Sequence, residues 1–295
     1  MSADHPPLKL NILIFLAAAS AYIYSLHLAN TTESVYIFIL CCILFAYVGN
    51  TLFCLMHEAV HNCFSSSDKI NTTFGIATSI FQPTSFTAQK HFHLGHHERN
   101  RSDLESWDTF LPDDNRFLKR IQWYTILTGI YWTSSISFGL LYLFCPFILN
   151  SSLLKGESKG VKRLGAEAML EGLTHPIRVR FEIFLSFSFQ IALIYFLELS
   201  LLTCLCCYGT FAWMWSSLQY ADHAFTPRDR INGAWNLKVF PWTKWFFLNY
   251  HSHLAHHQNP STSWMYLDHY IKDSVERPWF WSIYLKMWKG PVEAK

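Results

Sequence analysis

Eleven of the 15 histidines fall in four short clusters, a spacing that suits metal chemistry. HEAVH sets His57 and His61 four residues apart. On a helix these share one face, about 6 Å apart along the axis, so both rings can reach one ion or two neighbouring ones. HFHLGHH contributes His93, His96 and His97, and HSHLAHH repeats the arrangement with His253, His256 and His257. Within each HxxHH triplet, residues three or four apart share a helical face, while the adjacent pair diverges enough to address two metals. The natural consequence is a two-metal site. His223 in QYADHAF, with Gln219 one turn earlier, is the fourth element and can complete the coordination. Imidazole suits iron, copper, nickel or zinc; magnesium or calcium would call for carboxylates and carbonyls that the clusters lack.

His91 and His251 each lie two residues before a triplet, where a shift of register can exchange roles, or they sit outside the centre. His5, His27, His175 and His269 are isolated and are expected to be ordinary residues.

The elements that must position these side chains are apolar. The 295 residues are 51% hydrophobic and 17% aromatic, and only 15% are charged, against about 25% charged in ordinary soluble domains. About 20 apolar residues cross a bilayer core. Leu10 to Ala29 and Val35 to Met56 qualify, and the polar Asn30 to Ser34 between them predicts a tight turn and an antiparallel hairpin. Lys9 precedes the first run, but its length and the lack of a small-x-small cleavage site make it a retained anchor rather than a signal peptide. Phe181 to Tyr220 is long enough for two crossings, with Glu198 at the turn between them.

Ile121 to Leu149 is long enough to cross but is diluted by Thr125, Thr128, Gly129 and several serines. A crossing there would place Lys155, Lys159, Lys162, Arg163, Arg178 and Arg180 outside the cell, against the positive-inside tendency. A re-entrant or interfacial path is therefore expected, with residues 57–180 and 221–295 on the cytoplasmic face. The tail from Asp273 to Lys289 interleaves Trp279, Phe280, Trp281, Tyr284 and Trp288 with Arg277, Lys286 and Lys289, as does an amphipathic helix lying at the interface or packed on the domain. The expected fold is all-α and integral to the membrane, with about four spanning helices in two hairpins and a cytoplasmic helical cap carrying the histidines. No linker or repeat divides the chain, so residues 1–295 read as a single domain. A net charge of +2 with scattered basic residues excludes a nucleic-acid surface. The eight cysteines show no CxxC pair and read as buried, reduced residues.

With these residues in hand, HEAVH, HLGHH and HLAHH separated by apolar hairpins resemble the membrane fatty-acid desaturases over nearly the whole chain. QYADHAFTPRDRINGAWNL followed by NYHSHLAHHQNPSTSW is similar to the third-box region of bacterial desaturase-like proteins. The resemblance implies that His57, His61, His93, His96, His97, His223, His253, His256 and His257 bind two Fe ions, with molecular oxygen as co-substrate. It also implies that Gln219 contacts iron through water. Glu58 and Asp222 are candidate carboxylates for holding and tuning the ligands, or else surface residues. No fused haem domain is evident, so the resemblance implies a separate electron donor, such as a ferredoxin or cytochrome with its reductase. It further implies a lipid acyl substrate and a multi-pass protein of the bacterial inner membrane.

Two other classes compete. HEAVH is also the HExxH of zinc metalloproteases, in which the glutamate activates water, but this leaves both HxxHH triplets unexplained. A metal store or transporter would place polar ligands within the spanning helices, which are nearly free of ionisable groups. Within the oxygenase class, the HxxxH first box and short chain favour acyl desaturation over hydroxylation, acetylenic bond formation, ketolation or decarboxylation, by family analogy.

Overall fold

The computed structural model describes residues 5–145 and 173–293. Four helices are long and apolar enough to cross a membrane: α1 (Leu8–Thr31), α2 (Val35–Val60), α7 (Pro176–Phe196) and α8 (Leu201–Ala221). They form the two expected hairpins. The helices α3 (Asp68–Ser79), α4 (Phe86–Arg99), α5 (Arg116–Thr128), α6 (Thr133–Phe144), α9 (Pro241–Phe246), α10 (His253–Gln258) and α11 (Phe280–Met287) complete the helical framework. A parallel two-residue bridge pairs Thr109–Phe110 with Val292–Glu293. Lys155, Lys159, Lys162 and Arg163, which motivated the expected topology, lie outside the described residues, as do residues 146–149.

Lipid tails are as apolar as leucine, so close packing and polar ties, rather than escape from water, must hold spanning helices together. Packing centres on α2. Tyr22 of α1 and Tyr208 of α8 flank Phe45, with ring centroids 4.3 and 5.0 Å away. Gly49 permits α8 to come close, since a Cβ there would lie 2.8 Å from the Phe211 ring.

The polar ties sit at both ends of the bundle. At the far end, Asn30 donates to the carbonyls of Leu197 and Glu198 and accepts from Ser200 N at 2.8 Å and Thr203 Oγ1 at 3.1 Å. One side chain thus clasps the turn of the second hairpin, where Glu198 sits as expected. At the near end, buried Asn11 donates to Phe64 O at 3.0 Å and accepts from Trp264 Nε1 at 3.0 Å.

The segment beginning at Ile121 does not run straight. From Arg116 through Phe144 it is a pair of helices bent by 96°, the shape of a broken span or of a re-entrant loop. Gly129 makes the bend for two independent reasons. Its φ of +84° is left-handed, and a Cβ would stand 2.5 Å from the backbone nitrogen of Trp213. The bend is thereby pressed onto α8. The aromatic tail forms α11, whose buried face packs here. Trp213 Nε1 donates to Tyr284 Oη at 2.8 Å, Tyr284 Oη donates to Leu127 O at 3.0 Å, and Trp123 Nε1 donates to Met287 O at 2.8 Å. Trp281, Leu285 and Trp288 remain exposed on the other face.

Gly129→Ala should therefore lower stability by more than about 1 kcal/mol, the cost of a left-handed L residue with the backbone clash added. Thermal unfolding in detergent measures this, and an unchanged midpoint would mean that the bend does not depend on this glycine.

Candidate metal centre

Each histidine cluster sits at the end of a well-anchored element. Helix α2 runs one turn further than the apolar run that predicted it, so His57 lies in its last turn and His61 caps it. Ser85 starts α4, its Oγ accepting from Ala88 N at 3.1 Å. Buried Glu182 of α7 then fixes this start by accepting from Ser85 Oγ at 2.6 Å, from Thr87 N and Oγ1 at 2.8 Å each, and from Arg178 Nε at 2.8 Å. This brace places His93, His96 and His97 in the last two turns of α4. His223 follows the end of α8, and α10 carries His253, His256 and His257.

All nine imidazoles converge. His57, His61, His93 and His256 form one group and His96, His223, His253 and His257 a second; within each, candidate ligand atoms lie within 4.8 Å of one another, from where they can hold a metal ion. His97 joins the first group, its Nε2 lying 3.1 Å from that of His93 and 3.0 Å from that of His256. The residues four apart stay together (57 with 61, 93 with 97, 253 with 257), whereas His96 and His256 each turn to the other group. This is the divergence that lets one short helix serve two ions.

The donor chemistry fits a cation. His96 Nδ1 lies 2.6 Å from the Glu105 carboxylate and His223 Nδ1 2.8 Å from Gly233 O. A carboxylate and a carbonyl only accept, so each Nδ1 carries the proton, and in a neutral ring each Nε2 then presents a lone pair. Those two Nε2 atoms face each other at 3.2 Å. Two lone pairs cannot hydrogen-bond, but both can bind one cation. Four further Nε2···Nε2 pairs stand 3.0 to 3.2 Å apart. Nitrogen ligands about 2.0–2.1 Å from a common ion would stand about 2.9 Å apart at right angles and about 3.4 Å apart in a tetrahedron.

Burial favours the neutral form of seven of these rings. It pushes His61 down to about 3 and His97 to about 2, with Lys90 and His61 respectively adding repulsion, and it lowers His93, His223, His253, His256 and His257 well below the ordinary imidazole value. Asp222 is fully buried, its oxygens 3.6 Å from His253 Nδ1 and 3.9 Å from His223 Nε2, and burial raises its pKa well above the usual carboxylate range. It borders the centre and is not a surface residue.

Gln219 accepts from Tyr250 Oη at 3.1 Å, and the Tyr250 ring packs against His57 and His253 at 5.1 and 4.9 Å. Glu58 is buried rather than superficial. Its Oε2 accepts from Ser263 Oγ at 3.0 Å and Trp264 N at 3.1 Å, pinning that loop to α2. His91 and His251 belong to neither group; His251 is buried, which lowers its pKa to about 4. His5, His27, His175 and His269 are exposed. All eight cysteines are unpaired thiols, five buried and three partly so. Glu105, Tyr250 and Glu182 went unnoticed in the sequence. Only Tyr250 had a local signal, lying one turn before His253.

Beside the centre lies a cavity of about 800 Å³. His57, His93, His96, His223 and His253 border it, α2 contributes Phe53, Met56 and Val60, and α8 contributes Ser216, Gln219 and Tyr220. The bent α5–α6 pair supplies a further wall, apolar at Ile126, Ile130, Tyr131, Phe138 and Leu141 and polar at Gln122, Thr125 and Thr133 to Ser135.

Compared with known proteins, residues 34–274 match the family model described as fatty acid desaturase. A search of curated proteins found no match.

Glu58→Gln should lower thermal stability by about 1–2 kcal/mol while leaving metal content intact, because Glu58 holds a loop; complete loss of metal would contradict this assignment. Acid should destabilise the metal-free protein. His61 and His97 have folded-state values of about 3 and 2, below about 6.5 in the unfolded chain. Their contribution is therefore present above about pH 6.5 and is lost as pH falls towards the folded values. A chelator-treated sample should melt at a lower temperature at pH 5 than at pH 7, and the reverse order would refute a neutral cluster.

Proposed function

The chain belongs to the fatty acid desaturase family, and from that premise we propose that it is an oxygen-dependent fatty acyl desaturase with a histidine-ligated di-iron centre. The observation that carries this reading is the meeting of two histidine groups with one large cavity between spanning helices. The family and the four apolar helices make it a multi-pass membrane protein of an oxidoreductase family acting on lipid acyl chains. The reaction removes two hydrogens from neighbouring methylenes and, with two electrons and two protons from a donor, reduces one dioxygen to two waters. An unactivated methylene has no acidic proton, so side-chain acids and bases alone cannot break its C–H bond. The chemistry that two irons supply when bound is the activation of dioxygen for that abstraction.

The remaining work falls to the chain. In this reading His57, His61, His93, His97 and His256 hold one iron and His96, His223, His253 and His257 the other. Glu105 and the Gly233 carbonyl fix the tautomers of His96 and His223, so that each Nε2 would offer its lone pair to the iron held there. Gln219, oriented by Tyr250, stands where an amide can hold a water near iron. The α2 and α8 walls lay the acyl chain along the histidines, and the bent α5–α6 pair borders its other side. The centre lies on the cytoplasmic side of a bacterial inner membrane, within reach of a separate ferredoxin or cytochrome and its reductase. Residues 1–295 act as one domain.

Metal analysis of detergent-purified protein, paired with fatty-acid profiling of cells that express it, tests the reading. About two irons per chain and a new unsaturated acyl species are expected. A hydroxylated product would keep the centre and change the reaction, whereas one zinc and unchanged lipids would return HEAVH to the metalloprotease class. His96→Ala and His256→Ala should each lose iron and reduce turnover more than about 100-fold while still inserting in the membrane. Full turnover by either would sink the ligand assignment.

A further inference from the structure

The second histidine group has its own support. His96 is oriented by Glu105, which also accepts from Arg99 Nε at 3.1 Å, and His223 by the carbonyl of Gly233. These orienting groups lie on two separate segments, 99–108 and 222–233. Tyr220 at the end of α8 reaches the first segment, accepting from Trp107 N at 2.6 Å and donating to Glu105 O at 3.0 Å, but does not tie it to residues 225–233.

A buried ion pair does. Arg101 and Asp108 are 4% and 0% exposed, and Arg101 Nη1 donates to Asp108 Oδ1 at 2.7 Å. Both partners also grip the other segment, for Arg101 Nη2 donates to Thr226 O at 2.9 Å and Asp108 Oδ2 accepts from Phe225 N at 2.6 Å. Two strained residues meet in this clamp, Arg101 with φ +60° and Phe225 with φ +62°, a backbone conformation disfavoured for L residues. Gly233 lies against the arginine stem, where a Cβ would come within 2.3 Å of Arg101 Cγ. Asn100 adds a direct tie, donating to Arg230 O at 3.0 Å and to Gly233 O at 3.3 Å. The carbonyl that sets the His223 tautomer is thus held from the segment that carries the carboxylate orienting His96.

We propose that Arg101 and Asp108 are positioning residues for the second histidine group, so that the chain can lose the ion held there while keeping the one held by the first. This rests on the two-metal reading. The side-chain bonds of the clamp run between 99–108 and 222–233, with Tyr220 Oη of α8 and Thr109 Oγ1 also donating to Asp108 Oδ1 at 3.2 and 3.3 Å. His57 and His61 are held by α2, His93 and His97 by α4, whose start Glu182 fixes, and His256 by α10. Breaking a buried pair by removing one partner strands the other charge, so the substitutions must be near in shape. Asp108→Asn keeps shape and removes charge. Arg101→Lys keeps charge and removes the fork that reaches both Asp108 and Thr226 O.

The test loads the full-length, detergent-purified protein with ferrous iron, then measures iron per chain and the spectroscopic signature of the metal. Wild type should hold about two ions that interact. Asp108→Asn and Arg101→Lys should fall to about one, with the signature of an isolated ion and the larger loss in the variant that strands a charge. Asn100→Ala leaves the ion pair untouched, so it stands in if the pair variants fail to fold; it should weaken binding of the second ion about tenfold. Two interacting ions retained in all folded variants would overturn the inference, as would joint loss of both ions at unchanged melting temperature. Wild type that never holds two ions would instead overturn the two-metal reading itself.

Discussion

Imidazole lone pairs that converge with no proton between them are the constraint on which the rest of this molecule depends. His96 and His223 have each committed their Nδ1 proton to an acceptor, yet their Nε2 atoms stand 3.2 Å apart. Such an arrangement persists only where surrounding structure over-determines it or a cation resolves it. The four clusters are spread from residue 57 to residue 257, so the over-determination must come from elements remote in sequence. Three polar anchors supply it: Glu58 ties α2 to the loop after α10, Glu182 fixes the start of α4, and Arg101 with Asp108 joins the segment after α4 to the turn carrying His223.

These anchors follow from the solvent. Spanning helices gain little by associating through apolar surface alone, because lipid already satisfies that surface. Position is therefore set by small-residue contacts and by polar side chains that find partners on another helix. Gln82 reaching Gly49 O at 2.9 Å and Asn30 clasping the second turn are examples. Irregular backbone is tolerated at such depth only where it is buried in protein or lines a cavity. The bend at Gly129 meets that condition, because the helices on either side of it form a wall of the cavity beside the histidines.

The spanning helices and the histidines that gather in two groups were legible in the sequence. Uncharged runs of bilayer length announce helices, and HxxxH and HxxHH place imidazoles on helical faces whatever the surroundings. Helix ends were less legible. α2 continues through His57 to Val60 because nothing in HEAV breaks a helix, although the polar residues end the apolar run. Glu58 and Asp222 were ambiguous between centre and surface, since burial of a lone carboxylate is not a local property. Glu105, Glu182 and the Arg101–Asp108 pair carried no signal, because the partner that gives each its meaning lies in another segment.

The sequence by itself determined that two hairpins are long and apolar enough to cross a membrane and that histidines clustered at helical spacing could hold metal, since hydropathy and helical periodicity act within a few turns of chain. Only the tertiary structure decided how nine imidazoles divide between two groups, which nitrogen of each constrained ring faces inward and which walls enclose the neighbouring cavity. Those are distances between residues far apart in sequence, and they exist only once packing, buried hydrogen bonds and the bend at Gly129 have fixed the helices relative to one another.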